Sequence, residues 1–266
     1  MRAATASVTV VMLCAAVGCA SHGFPVPQGP ATPAAGAPAA WDGAASHCAD
    51  LQSVQVQARL SGRVGAQRIP GLIVGVVATR SNAIGLEARL SGSAMFVLGG
   101  RGGDATLVLP QDHRVVVASA PAILEALVGV AWEPSRLMAV LAGCVTADAQ
   151  IEGDSEYGDG TVAVSLGGGD VAYLTMAGGR RVVRAGRSGG LRVEYRRGAG
   201  PWPAEVRITS EPGQVPVALV LRLDTIVPNP AIDPRAFTVV VPAGAEAMSV
   251  AQLRDGGPLG DSARRP

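Results

Sequence analysis

The stretch GVAWEPSRLMAVLAGC, residues 129–144, decides the fold that we expect, because it interrupts a chain otherwise made of short Val-rich segments. A helix is predicted to begin at Pro134 and to end at Gly143, since proline favours the first helical turn and glycine favours the position after the last. Four apolar residues recur at the spacing i, i+3, i+4, i+7 and form one stripe: Leu137, Val140, Leu141 and Cys144. The stripe predicts a helix that lies with one face on a β-sheet.

A second short helix is predicted immediately before the first. It begins near Ser119, carries Pro121 in its first turn and stops at Gly129. Its apolar face comprises Ile123, Leu124, Leu127 and Val128. The two helices therefore form one helical insert in the middle of the chain.

Strands are predicted on both sides of this insert. The segment SVQVQARLSGRV, residues 53–64, alternates apolar and polar side chains as a half-buried strand does. Similar segments continue to the insert and resume after residue 160, without the strand–helix rhythm of parallel sheets. We predict a mainly β chain with one antiparallel sheet of about ten to twelve strands and short helices at its N- and C-terminal ends.

Two short helices can bury only part of the apolar face of so large a sheet. In one interpretation the sheet closes on itself, the helices plug one end and the core is dry. In the other, an open or half-closed barrel keeps an apolar cavity beneath a helical lid.

The N-terminus has the form of a secretory signal, with one early arginine and an apolar run too short to span a membrane. Ala16-Val17-Gly18-Cys19 resembles the lipobox of bacterial lipoproteins, which predicts removal of residues 1–18 and lipidation of Cys19. A secreted protein without lipid is the alternative. Ala20 follows the cysteine instead of Asp, and by the same resemblance this favours the periplasmic face of the outer membrane.

The remaining chain divides by composition. Residues 19–46 are rich in Pro and Ala and are interpreted as the lipidated linker. Residues 47–257 form the predicted domain, whose first helical turns start near Ser46 as a possible N-cap. Residues 258–266 are predicted to be a disordered tail.

Two cysteines remain once Cys14 leaves with the signal and Cys19 takes lipid. Cys48 and Cys144 are predicted to form a disulfide in an oxidising compartment, with two buried thiols as the alternative. Such a bridge would pin the helical insert to the N-terminal helix, and the lid would then open on the Trp132 side, near Pro134.

Several function classes are disfavoured. All 22 basic residues are arginine and the net charge is +1, so lysine chemistry is absent and no nucleic-acid partner is expected. Gly186–Gly190 matches G-x-S-x-G but lies between two strands, which predicts a hairpin turn and no catalytic serine. The three histidines share no metal-ligand spacing, and the acidic loop after residue 147 does not match a calcium loop. We expect no enzymatic activity, cofactor or metal.

The helical insert carries a family resemblance. The segment ILEALVGVAWEPSRLMAVLAGC, residues 123–144, is similar to the helical insert of LolB. NPAIDPRAFTVVVPAGAEAMSVAQLRDGGPL, residues 229–259, resembles an uncharacterised family of LolB-like bacterial lipoproteins. Over about residues 46–259 the chain resembles the LolA/LolB half-barrel group.

This resemblance implies an unclosed barrel with an apolar cavity for acyl chains, a LolA-like periplasmic carrier as partner, and a role in lipoprotein localisation. It also implies an exposed apolar residue on a strand-connecting loop that enters the membrane, here Leu90. A carrier of glycolipid or other lipid and a structural accessory lipoprotein are the alternatives. The residues predicted to line the cavity are Leu86, Met95 and Val97 from the strands, and Leu127, Trp132, Leu137, Met138 and Leu141 from the lid.

Overall fold

A computed structural model describes residues 23–34, 36–147, 149–198 and 200–256. The predicted signal peptide, Cys19 and the tail from residue 258 lie outside the described residues. No helix among the described residues is long and apolar enough to span a membrane.

The described chain contains fifteen strands and four α-helices. The strands are β1 (Ala31–Thr32), β2 (Ser53–Val64), β3 (Gln67–Thr79), β4 (Ala83–Leu90), β5 (Ser93–Arg101), β6 (Asp104–Leu109), β7 (Arg114–Ser119), β8 (Ile151–Tyr157), β9 (Val162–Leu166), β10 (Asp170–Ala177), β11 (Arg180–Ser188), β12 (Leu191–Arg197), β13 (Pro203–Ser210), β14 (Val217–Pro228) and β15 (Glu246–Ala247). The helices are α1 (Ala37–Ala49), α2 (Ala120–Val128), α3 (Pro134–Leu141) and α4 (Val250–Gly256).

All fifteen strands belong to one sheet, in the order β1-β8-β9-β10-β11-β12-β13-β14-β2-β3-β4-β5-β6-β7-β15. The two halves of the chain join where β14 pairs antiparallel with β2. Every pairing is antiparallel except that of β15 with β7. No pairing among the described residues joins β1 to β15, so the predicted mainly β, unclosed architecture with a mid-chain helical pair is confirmed. The strand count exceeds the prediction partly because β1 and β15 are two-residue pairings.

Alternation along the strands gives the sheet two different faces. The face that α2 and α3 cover is here called the inner face, and it holds most of the hydrophobic core. Leu60 of β2, for example, pairs with Leu72 of β3 and Leu221 of β14, and all three are buried. The opposite side, the outer face, carries the polar partners of the same strands.

The N-terminal segment is folded well before the predicted boundary. Helix α1 begins at Ala37, after Gly36 in the left-handed conformation, so the prediction of a linker to residue 46 with a helix start near Ser46 is wrong. Trp41 of α1 is only 6% exposed and belongs to the core. The reason is that one large aromatic side chain and several small alanines bury enough apolar area to fix a segment whose composition is that of a linker.

The C-terminal segment, residues 229–249, crosses the outer face of β4 and β5 and is here called the C-terminal strap. Gly85 and Gly99 are direct partners in these strands. A Cβ at Gly85 would collide with the backbone oxygen of Ala236, so the strap fits there only because a side chain is missing. The strap then pairs with β7 through β15 and continues into α4, which packs on α2.

Candidate functional site

The helical insert has the start and stop signals that the sequence predicts. The hydroxyl oxygen of Ser119 accepts the backbone N–H of Ala122 at 3.4 Å and caps α2, which ends at Gly129 with φ 71°. Helix α3 begins at Pro134. The backbone N–H of Ser135 donates to Oδ1 of Asn82 in the β3–β4 turn at 3.1 Å. Helices α2 and α3, with their connection, are called the lid from here on.

An apolar cavity of about 70 Å³ lies between the lid and the inner face of the sheet. Fifteen residues line it, and all are aliphatic or aromatic: Leu60, Val74, Val76, Leu86, Phe96, Leu124, Leu127, Val128, Val130, Trp132, Leu137, Leu141, Ile208, Leu219 and Leu221. They come from six strands, both lid helices and the connection between those helices. Because this lining lacks carboxylates, hydroxyls and amide side chains, it favours apolar ligand groups and offers them no specific hydrogen bonds.

The structure brings five of the eight predicted cavity residues together in this wall: Leu86, Leu127, Trp132, Leu137 and Leu141. The other three lie elsewhere. Val97 follows Phe96 on β5, and alternation turns its side chain away from the cavity that Phe96 enters. Met95 occupies the register shift opposite Ala88 and Arg89, and Met138 is fully buried in the core.

The cavity residues missed from the sequence come mainly from β2, β3, β13 and β14. Each of these strands alternates, so the inner face could be identified, but the position of the lid along it could not. Alternation also puts Phe96 on the inner face, since it shares the face of Leu98 on β5.

Leu90 is not the exposed loop residue that membrane insertion requires. It is half buried and packs against the core. Alternation along β4 explains the correction, because Leu86, Ala88 and Leu90 share the inner face.

A polar cluster, here called the lid latch, fastens the start of α3 to the sheet. Arg136 donates to both carboxylate oxygens of Asp170, at 2.9 and 2.7 Å, and to the hydroxyl of Ser188 at 2.9 Å. Asp170 is 2% exposed and also accepts the backbone N–H of Gly189 at 3.1 Å. The Trp132 ring N–H donates to the backbone oxygen of Ser188 at 3.2 Å. The expected opening on the Trp132 side would have to break these buried polar contacts.

The serine of the G-x-S-x-G match, Ser188, is a member of the lid latch. Ser188 lies at the β11–β12 hairpin, as predicted, and is fully buried. Its hydroxyl donates to the backbone oxygen of Val145 at 2.8 Å. The serine thus helps to hold the segment that follows α3.

The other end of α3 is held by the predicted disulfide, which joins Cys48 of α1 to Cys144 with a Cα–Cα distance of 5.8 Å. His47 lies beside it: its Nε2 is 3.2 Å from the backbone oxygen of Ala142, and its ring contacts Trp202 edge-on at 4.8 Å. Helix α3 is therefore fixed to the sheet at its start and to α1 at its end.

Burial lowers the pKa of His47 below its usual value of 6.5, and the charges of Arg197 and Arg180 act in the same direction, against the hydrogen bond to Ala142. The folded state then binds its proton less readily than the unfolded state. The stability that His47 contributes is present above about pH 6.5 and is lost as the pH falls through the folded-state pKa. We expect His47→Gln to reduce the loss of unfolding free energy between pH 7.5 and 5. Urea titrations at the two pH values measure this, with His113→Gln as control, and an unchanged pH dependence would refute it.

Comparison with known proteins finds likeness in structure alone. No protein-family model and no curated relative matches the chain. A DUF1329 family protein from Desulfovibrio piger has a TM-score of 0.47 at 11% identity, over 76% of this chain and 96% of that one. A LolA superfamily protein from Nitrosomonas europaea has a TM-score of 0.42 at 11% identity, over 75% of this chain and 94% of that one. The lipoprotein LppX from Mycobacterium tuberculosis has a TM-score of 0.31 at 14% identity, over 74% of this chain and 98% of that one.

The LolA superfamily protein belongs to the group that the sequence resembles. None of these three scores reaches 0.5, so what the chain does has to be argued from its own residues.

Proposed function

We propose that this protein is a lipoprotein of the outer membrane, anchored through Cys19, that binds acyl chains under its lid without catalysing a reaction. Its role would be LolB-like, the receipt of lipoprotein acyl chains from a periplasmic carrier. The observation that carries the proposal is the cavity itself, whose fifteen lining residues are all apolar. Burying methylene groups there is favourable by about 0.8 kcal/mol each, with no need for a hydrogen-bonding partner.

The cavity has to enlarge before it can hold an acyl chain. Its 70 Å³ is about half of the roughly 150 Å³ of an engineered cavity that binds benzene, and ligand pockets reach several hundred Å³. The lid must therefore move as the ligand enters. The ligand would bind an open conformation more tightly than the closed one and so shift the population toward the open conformation.

Helix α2 is the part of the lid that we expect to move. The latch and the disulfide hold both ends of α3. By contrast, α2 ends at Gly129 in a left-handed conformation, and its links to α4 are the packing of that helix and the exposed pair Glu125–Arg254 at 3.5 Å. Exposed pairs of this kind contribute little stability. Swinging α2 away would remove Leu124, Leu127 and Val128 from the wall and open the cavity along one side.

Leu137→Glu is expected to weaken acyl-chain binding at least tenfold, because it places a carboxylate in a wall that offers no polar partner. Titration of the purified protein with a fluorescent fatty acid measures the loss. Val240→Glu serves as control, since Val240 is 85% exposed and is not part of the described cavity wall. Equal affinity in both variants, or no uptake by the wild-type protein, would rule out the cavity as a lipid site.

The small volume of the closed cavity favours one second candidate, a structural accessory lipoprotein with a filled core. Native mass spectrometry of protein taken from its own membrane separates the proposals. Bound lipid or lipoprotein acyl chains support the first role, a bound glycolipid supports a carrier of glycolipids, and a stable protein partner without lipid supports the accessory role.

A further inference from the structure

The described chain begins on the outer face of the sheet, on the side away from the lid. The backbone N–H of Phe24 donates to Oε2 of Glu194 on β12 at 2.9 Å. The Phe24 ring lies against Tyr173 of β10, with ring centroids 6.0 Å apart. The N-terminal end of the described chain is therefore fixed to the outer face.

The distance from this point to Cys19 is short. Four peptide units join Cys19 to Gly23, and a fully extended chain spans at most about 3.6 Å per residue. Cys19 is therefore within about 14 Å of Gly23. A lipid on Cys19 would hold the domain by its outer face, close to β12, and not at the end of a long linker.

The outer face near this point is rich in arginine. We call the outer side of β12, β13, β14 and β2 the arginine face, and its six arginines are Arg59, Arg63, Arg192, Arg196, Arg207 and Arg222. The register aligns three of them in one row across four strands, in which Arg196 pairs with Glu205, Glu205 with Arg222, and Arg222 with Arg59.

Three carboxylates share this face. Glu205 and Glu194 lie largely beneath the guanidinium groups, whereas Asp224 is 47% exposed and pairs with Arg59 at 3.6 Å. The side chains of Arg222 and Arg196 are 71% and 63% exposed, whereas that of Glu205 is 3% exposed. Arg207 donates from Nε to Glu205 Oε1 at 2.8 Å, and Arg222 Nε lies 3.4 Å from Oε2. Burial alone would raise the pKa of Glu205, but Arg207 and Arg196 outweigh it and hold the pKa low. The buried carboxylate therefore orders the arginines, and an excess of six arginines over three carboxylates leaves this face positive.

We propose that the arginine face docks on the phosphate groups of an anionic phospholipid bilayer, while the lid on the opposite face points away from the membrane. The proposal rests on the lipid anchor at Cys19 that the proposed function includes. Each guanidinium group can donate two parallel hydrogen bonds to two phosphate oxygens. A short tether also raises the local concentration of this face at the bilayer. A cavity that opens away from the bilayer is accessible to a carrier in the aqueous compartment.

The orientation is measured on the full acylated protein, reconstituted in vesicles that contain phosphatidylglycerol and a lipid with a quencher on its head group. A fluorophore is attached to Ser61→Cys, on the exposed outer side of β2, or to Ala251→Cys, on exposed α4 beside the lid. We expect the label at residue 61 to be quenched several times more strongly than the label at 251. The difference should shrink at high salt and in vesicles of phosphatidylcholine alone.

Charge neutralisation provides the matched control. The triple variant Arg59→Gln, Arg63→Gln, Arg222→Gln is expected to lose the difference between the labels, whereas Arg114→Gln with Arg254→Gln, outside the arginine face, is expected to keep it. Urea unfolding confirms that each variant is folded. An acylated protein whose two labels are quenched equally overturns the docking face and leaves the anchor intact. A mature chain whose mass shows no acyl groups on Cys19 overturns both.

Discussion

Replacing Cys48 and Cys144 together by alanine is expected to lower the free energy of unfolding by about 4–5 kcal/mol, the largest effect of any pair of substitutions considered for this chain. The bridge joins residues 96 positions apart and so removes a large amount of chain entropy from the unfolded state. It also ties Cys144, which is 1% exposed at the end of the lid, to α1. Urea unfolding of the wild-type and double-alanine proteins gives the difference directly.

A reducing agent supplies the control for this result. Dithiothreitol should lower the stability of the wild-type protein to nearly that of the double variant and should leave the double variant unchanged. If the wild-type protein unfolds at the same urea concentration with and without the reductant, and thiol titration shows both cysteines free under reduction, the bridge contributes no net stability.

Arg136→Ala is expected to destabilise the fold by about 3 kcal/mol, at the lower end of the range for breaking a buried ion pair. The substitution leaves the Asp170 carboxylate, 2% exposed, without its charged partner, although the N–H of Gly189 still donates to it. We choose the lower end because the Arg136 side chain itself is 28% exposed and water screens part of the interaction. Chemical denaturation measures the stability, and the rate of fatty-acid uptake should rise because α3 is no longer latched.

The matched control is Arg254→Ala, which removes an arginine from the exposed pair with Glu125 at 3.5 Å. It should cost less than about 1 kcal/mol. The lid latch would lose its assigned role if both alanine variants had the same stability. Asp170→Asn tests the charge separately: it should cost less than Arg136→Ala, because no buried carboxylate is left unpaired.

Local signals made the lid predictable from the sequence. Ser119, Gly129 and Pro134 define the ends of α2 and α3, since capping and proline geometry act within a few residues. Alternation predicted the strands for the same reason. The pairing of Cys48 with Cys144 followed from their number and from the compartment that the signal indicates.

Long-range packing set the limit of prediction. Trp41 and its alanine neighbours form a helix because they pack on the inner face of the sheet. The sequence of residues 37–46 does not predict that packing. Likewise, the register shift of β5 against β4 places Met95 outside the cavity wall, and a shift of this kind depends on the partner strand. Single-strand patterns cannot supply either piece of information.

The C-terminal strap has a consequence for the order in which the molecule is assembled. Leu253 of α4 is fully buried, and α4 packs on α2, the movable part of the lid. Leu253 lies some 125 positions after the helix that it covers and is therefore synthesised well after that helix. Helix α2 can therefore be covered on this side only once α4 has been synthesised, and its apolar side chains stay uncovered there until then. A chaperone that recognises apolar helices would find α2 accessible during that period.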